Sequence, residues 1–399
     1  MTGRSIAIAG CGVAGLACAA MLARQGDCVI LFDKLDAPRP LGSGLILQPV
    51  GLAALDEIGV GARVRALGAP IGRLFGRARP SGRVVLDVRY RNLGGAAKEG
   101  VAVHRGALFQ ALYDAALAAG AEMAPGHDVV GTSDGRLTFA NGKTSARFDL
   151  IIDALGVRSP LSRPKPLAPL NFGALWANVD WPDNSPFDEH ALEQRYEAAR
   201  KMVGVLPIGR RNPTSVKQAA FFWSLRQKDH AAWASGSLDA WKAEVLRLWP
   251  ETSPLLDQIA RHDQLIFASY CHGTLGSPLG RGVVHLGDSW HSASPQLGQG
   301  ANMALLDAFA LARALGLHRD IDTAANAYAR ARRLHIRIYQ LASWMFTPAY
   351  QSDGRAIVWV RDWLAAPVSR VWPAPGILAA LVAGSIASPL SAIEALRDG

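Results

Sequence analysis

Apolar and polar positions along the chain fall into blocks that alternate between two periods. Ser5 to Ala9 is a short unbroken apolar block and predicts a buried strand. A glycine cluster follows, then apolar residues in a helical pattern through Arg24, closed by Gly26, then a second buried strand over "CVILFDK". The same order returns late in the chain. "GVVHLGD" predicts a strand, "SASPQLGQG" a turn and "ANMALLDAFALARAL" a helix with a repeating apolar face. Between these two units the pattern changes to strands. "GRVVLDVRY" and "FGALWANVDW" alternate, "MVGVLPIG" and "AAFFWSL" are apolar strand candidates, and "DAWKAEVLRLWP" predicts a helix ending before Pro250. Near the C-terminus "TPAYQSDG" reads as a turn between helices.

The first glycine cluster carries chemistry. Gly10, Gly12 and Gly15 have the G-x-G-x-x-G spacing between a strand and a helix, which is the dinucleotide fingerprint in its required context. Gly10 permits the tight turn, Gly12 a close approach of backbone amides to a pyrophosphate, and Gly15 close packing of helix on strand. The amides of Val13 and Ala14 lie in the first helical turn, where the helix dipole favours anions. Asp33, at the end of the second strand, falls where a carboxylate holds a ribose hydroxyl. A carboxylate there disfavours a ribose 2′-phosphate, so this pocket is expected to take NAD or FAD rather than NADPH.

The late glycine turn again sets a helix start at the carboxyl end of a strand, where ligands sit in open α/β sheets. Asp288 is placed to accept from a sugar-alcohol hydroxyl. Gly298 and Gly300 let amides approach a flat ring, and Asn302 is polar in the helix's first turn. An ordinary strand-turn-helix with structural glycines is the alternative. Two such sites in one chain suggest one long ligand held at both ends.

Charge and cysteines narrow the picture. The 42 Lys+Arg against 33 Asp+Glu give a net charge of +9, which favours anionic ligands. The arginines are scattered and no aromatic-basic stripe accompanies them, so nucleic acid is not expected as a partner. Cys11, Cys18, Cys28 and Cys271 form no CxxC pair, so no metal site or disulfide framework is expected, and a reduced cytoplasmic setting fits. The glycine loop interrupts the N-terminal apolar run, which argues against a secretory signal. "GILAALVAGSIASPL" is too short to span a membrane.

Taken together these stretches resemble the class A flavoprotein monooxygenases, the family of para-hydroxybenzoate hydroxylase. "DKLDAPRPLGSGLILQPVGLAALDEIGV" looks like the family's acid, here Asp33 followed by Lys34, then a Pro-Arg-Pro segment holding Arg39 and a Gly-x-Gly strand beside the flavin. "VHRGALFQALYDAA" looks like the helix whose arginine, here Arg105, reaches the cofactor, and "GDSWHSASPQLGQGANMALLDA" is close to the family's Gly-Asp motif.

The resemblance implies an α/β fold: a Rossmann-like FAD-binding domain, an inserted β-sheet substrate domain and a helical C-terminal part. It implies that the first loop holds the AMP end and pyrophosphate of FAD. Asp288 then holds the ribityl chain, and the backbone from Leu297 through Gly298 and Gly300 to Ala301 and Asn302 holds the ring edge. Pro295 matches a proline beside the reacting face of the ring. His291, four residues before it, is a candidate proton relay, with a structural hydrogen bond as the alternative. In the family, reduced FAD and O2 form a C4a-hydroperoxide that hydroxylates an electron-rich aromatic substrate, with NADPH or NADH as donor.

One departure bears on the donor. The family's middle motif reads Asp-Gly-x-x-Ser-x-x-Arg. Here Gly156, Ser159 and Arg163 match, and Leu155 stands where the Asp belongs. A leucine neither accepts a hydrogen bond nor carries charge. A separate reductase is therefore a second expectation, and a flavin oxidoreductase without oxygen insertion is the alternative chemistry. A non-enzymatic carrier on the same fold is disfavoured by the intact second loop. The Trp-x-Trp-x-Ile-Pro motif of flavin halogenases does not occur.

The FAD domain is expected to be discontinuous, over 1–72, 99–164 and 270–340, with the substrate sheet in 73–98 and 165–269 and a helical segment in 341–399. Trp176, Phe222 and Trp223 are candidates for an aromatic substrate wall, core packing being the alternative for each. The C-terminal mixture of arginines and tryptophans suggests a helical cap on the FAD domain, a homodimer contact or a membrane-surface contact.

Overall fold

The computed structural model describes residues 3–37, 42–94, 99–163, 165–280 and 282–398. Arg39 lies outside them. A six-stranded sheet runs in the spatial order Leu279–Gly280, Val283–His285, Leu150–Asp153, Ser5–Ala9, Cys28–Phe32, Glu122–Ala124. All neighbours are parallel except the first pair. Its three neighbouring strands Val283–His285, Leu150–Asp153 and Ser5–Ala9 bury nearly every side chain, as strands covered on both faces must. The Val13–Arg24 helix packs on it and on the Gly300–Leu317 helix through alanines, Leu16, Leu305 and Leu306. Small side chains let these helices approach closely.

A seven-stranded sheet forms the second body, ordered Ile266–Cys271, Pro169–Asp180, Lys217–Arg226, Lys201–Arg210, Ala191–Glu197, Arg73–Arg79, Val84–Arg89. The Leu238–Leu248 helix covers one face, with Trp241 and Val245 packed on Leu175, Phe221 and Trp223. The other face turns toward a three-stranded sheet of Gly44–Leu47, Gly100–His104 and Ala69–Ile71, where Ile46 and Ala102 meet Leu206, Ile208 and Ala220. The mixed α/β architecture is the one the sequence implied.

Two local features differ from expectation. The helix that begins at Ile321 is capped by Asp320 and runs unbroken to Tyr350, with Pro348 inside its last turn. The expected turn over "TPAYQSDG" is therefore confined to the residues after Tyr350, and residue 340 falls mid-helix rather than at a boundary. The hydroxyls of Ser343 and Thr347 hold that last stretch of helix against Ser294. Among the described helices only Gly300–Leu317 is long and apolar enough to cross a membrane, and most of it is buried in the core.

Candidate active site

The register of the parallel sheet brings four strand ends level. Ala9 pairs with Phe32 on one side and Asp153 on the other, and Asp153 pairs with His285. The chain leaves all four strands at one rim, so the two glycine loops, 280 residues apart in sequence, become neighbours there.

At the first loop Gly10 has φ +106°, and a Cβ would stand 2.5 Å from the carbonyl oxygen of Ala154. No side chain fits. At Gly12 a Cβ would meet nothing within 4 Å, so the space over the loop is open. The Val13–Arg24 helix starts without a side-chain cap and without an acidic residue in its first turn. The amides of Val13, Ala14 and Gly15 are thus left for a ligand to satisfy. The Asp33 carboxylate is fixed beside them by the amides of Cys11 (3.0 Å) and Leu35 (2.9 Å). Lys34 is exposed next to it.

The Gly287–Asp288 turn is wedged between the starts of both helices. A Cβ on Gly287 would lie 3.5 Å from the Ala14 methyl and 3.3 Å from the Ala304 methyl. The Gly287 amide donates to Asp307 at 2.9 Å, which sets the turn. Asp288 is open to solvent yet enclosed by protein, the signature of a side chain lining a deep cleft. Desolvation raises its pKa, with His291 and Arg105 opposing and Asp307 reinforcing. Arg105 opens the Arg105–Ala118 helix, and its guanidinium lies over Gly42. Desolvation lowers its pKa, while Asp288 and Tyr270 act to raise it.

Pro295 is exposed and opens a short turn through Leu297, whose side chain is buried; Gly298 closes the turn in the left-handed region at φ +61°. The Gly300–Leu317 helix then starts as the first helix does, with no side-chain cap and no acidic residue in its first turn, leaving the Gly300, Ala301 and Asn302 amides outward. The buried Gln48 Nε2 has no hydrogen-bond partner among the described residues and lies 3.7 Å from where a Gly298 Cβ would stand. An orphaned donor and an uncapped helix start at one place fit an electron-rich ligand edge.

Three expected roles need correction. The Asn302 side chain is spent on the fold: Oδ1 accepts from the Gln48 amide at 2.7 Å, and Nδ2 donates to the carbonyls of Gly298 and Ile46. Only its backbone amide remains for a ligand. His291 is not a relay in the cleft. It is buried, and its Nε2 lies 2.6 Å from Asp307 Oδ2, whose other oxygen accepts from Arg332 at 2.8 Å. Trp223 points away from the other two aromatics, because neighbours on a strand face opposite sides. Trp176 and Phe222, paired across adjacent strands, do stack, at 4.5 Å between ring centroids.

Tyr270 is the residue that sequence reading missed. No motif surrounds it. Its hydroxyl accepts from Trp176 Nε1 at 2.9 Å, and burial pushes its pKa up to about 12, with Trp176 and Arg105 opposing. Asp288, from the glycine turn, favours the charged form of Arg105, and Tyr270, from the seven-stranded sheet, would do so only once ionised.

The middle motif is structural here. Leu155 is half-buried and packs against an apolar cluster. Asp153 is fully buried and takes bonds from the Leu155 amide, Ser159 Oγ and His285 Nδ1. Arg163 donates to the carbonyls of Ser289 and Trp290 at 3.2 Å, bracing the Asp288 turn from behind.

The comparisons with known proteins agree with this geometry. The model of the FAD binding domain family matches residues 4–336. The chain is 28% identical over 383 residues to 2-heptyl-3-hydroxy-4(1H)-quinolone synthase of Pseudomonas aeruginosa strain UCBPP-PA14, covering 90% of this chain and 93% of that protein. It is 25% identical over 383 residues to aurachin C monooxygenase/isomerase of Stigmatella aurantiaca, with the same coverage of 90% and 93%. The solved tetrameric form of 2-methyl-3-hydroxypyridine-5-carboxylic acid oxygenase superposes with a TM-score of 0.79 at 22% identity, covering 98% of both chains. The matched family, the two uncapped helix starts at one rim and the relatives together make this chain a member of the class A FAD-dependent aromatic monooxygenases.

Proposed function

We propose that this enzyme hydroxylates a planar fused-ring heteroaromatic compound bearing a ring oxygen, and that Arg105 marks where cofactor and substrate meet. The single observation that carries this reading is the stacked Trp176–Phe222 pair with the Tyr270 hydroxyl held 2.9 Å from Trp176 Nε1, an apolar wall with one buried phenol on it. Relatives named as quinolone synthases and an aurachin C monooxygenase support the fused-ring class.

In this reading the amides of Val13, Ala14 and Gly15 bind the pyrophosphate of FAD and Asp33 holds the ribose. Asp288 holds the ribityl chain. The Leu297–Asn302 backbone and Gln48 Nε2 bind the ring edge. Bound FAD supplies the oxygen activation; the protein supplies position and field. The second helix start stabilises negative charge at the ring edge. Pro295 shapes the ring face. Tyr270 stays protonated at neutral pH, since burial raises its pKa to about 12. Its oxygen is occupied by Trp176, so its O–H is left to donate to the substrate's ring oxygen. Trp176 and Phe222 line the apolar side.

The donor in this reading is NADPH or NADH; Leu155 favours a second arrangement in which a separate reductase delivers the electrons. Anaerobic mixing of the yellow protein with either nicotinamide decides between them. Rapid bleaching of the oxidised flavin band establishes direct reduction; no bleaching, with dithionite still effective, points to another donor, a partner reductase or a substrate that reduces the flavin itself. The hydroxylation itself is tested with labelled O2 and a 4-quinolone. One labelled oxygen atom in the product is expected, and turnover without label overturns the reading.

A further inference from the structure

Twelve of the seventeen exposed large apolar side chains among the described residues lie between 334 and 377. Two helical faces carry nine of them. On the long Ile321–Tyr350 helix, Leu334, Leu341, Trp344 and Met345 face solvent at one-face spacing. The helical run from Arg355 to Val368 follows and packs on it. This run is inverted relative to an ordinary surface helix. It buries Arg361, which donates to the carbonyls of Ala198 and Ala349, and shows Trp359, Val360, Trp363, Leu364 and Val368 to water. Trp372, just beyond, is 88% exposed. A monomer surface gains nothing from such an arrangement.

The charges around these faces have one sign. From 330 to 377 the chain has seven arginines, no lysine and two aspartates. Both aspartates are neutralised, Asp353 by Arg200 and Arg226, and Asp362 by Arg361. Arg330, Arg333, Arg337, Arg355 and Arg370 are exposed, and Arg83 sits 3.5 Å from the Trp363 ring. Two copies placed face to face would set arginine against arginine. An anionic lipid surface complements the same face: tryptophans settle at the headgroup level and arginines pair with phosphates.

We propose that the enzyme docks peripherally on anionic membrane through this tryptophan–arginine surface. The proposal stands apart from the assignment of the active site, since none of these residues lies in the cleft.

The test uses the full-length FAD-loaded protein and vesicles of phosphatidylglycerol or of phosphatidylcholine. Co-sedimentation with the phosphatidylglycerol vesicles, a blue shift of tryptophan emission and release by salt are expected. Each arginine at such a surface contributes about fivefold in affinity. The pair Arg333→Gln and Arg337→Gln is therefore expected to weaken binding about 25-fold. The pair Trp344→Glu and Trp372→Glu is expected to abolish the emission shift. Both variants should keep the flavin spectrum, which certifies the fold. Failure of the native protein to bind phosphatidylglycerol vesicles overturns the proposal. If light scattering then shows a dimer that Trp344→Glu dissociates, the face belongs to a second copy. Equal binding to both vesicle types, insensitive to the arginine pair, also overturns it.

Discussion

The Gly300–Leu317 and Ile321–Tyr350 helices follow one another and pack together, yet they begin in opposite ways. The second starts conventionally. Asp320 caps it by accepting from the Thr323 amide and hydroxyl, and Asp322 adds charge to the first turn. The first starts with Gly300, no cap and no acid, as does the Val13–Arg24 helix. A helix that completes its own end gains stability alone. A helix left incomplete at a strand rim gains it when an anionic or electron-rich group arrives. Lack of a cap alone is common in this fold, as at Pro49–Ile58 and Gly61–Leu67; what marks these two starts is that both open from glycine turns at the strand rim.

That contrast can be broken or sharpened by substitution. The largest effect is expected where the two helices share a charge. Asp307→Asn leaves Arg332 buried beside a neutral amide and loosens the Gly287 turn. A loss of about 3–5 kcal/mol in chemical denaturation is expected. Next is Gly12→Asp, which supplies the missing cap at a position with open space. It should leave the FAD-free protein as stable or slightly more so, while FAD affinity falls about 100-fold, or about 2.7 kcal/mol, through repulsion of the pyrophosphate. Equal FAD affinity by fluorescence titration would falsify the assignment of this helix start.

Asp288→Asn is expected to act in two directions. Desolvation raises the folded-state pKa of Asp288 above its unfolded value. Its contribution to stability is then full below the unfolded value and is lost as pH rises through the folded one. At pH 7 the variant should therefore melt higher without FAD, and bind FAD about tenfold more weakly for want of the charged acceptor. The smallest effect belongs to Asp320→Ala, which should lower the melting temperature slightly and leave FAD affinity untouched. A matching loss of FAD would erase the distinction between the two helix starts.

Acid adds one further check. Burial lowers the pKa of His335 to about 3, helped by the Arg332 charge. Its neutral form is the folded one, with Nε2 donating to the Gly384 carbonyl at 2.9 Å. Stability is therefore expected to fall as pH drops from the ordinary histidine range toward 3, and His335→Gln should flatten that part of the profile.

The glycine loops and the strand blocks were legible because each is a local signal: glycines spaced between a strand and a helix, or a short apolar or alternating run. The Asp307–Arg332–His291 cluster was not, because its members meet only when the late helix, the long helix and the Asp288 turn pack together. Tyr270 was hidden for the same reason, since its meaning comes from Trp176, 94 residues away, and from Arg105. Trp223 is a different case. Strand alternation already forbade it from sharing a wall with Phe222, and a count of aromatics overrode the period. The long helix ran past the expected turn because one proline in a last turn does not end a helix whose hydroxyls are already bonded to Ser294.

The strand order of the six-stranded sheet has a consequence for biosynthesis. Ser5–Ala9 pairs with Leu150–Asp153, which pairs in turn with Val283–His285. Translation proceeds at roughly 5–20 residues per second, so the third of these strands leaves the ribosome about 15–55 seconds after the first. For roughly the later half of that interval, about 7–27 seconds, the free edge of Leu150–Asp153 offers unpaired amides and carbonyls to any extended segment nearby. The two glycine loops are therefore made roughly 280 residues apart in translation, and a nascent chain stalled before residue 283 holds one loop and an adhesive edge.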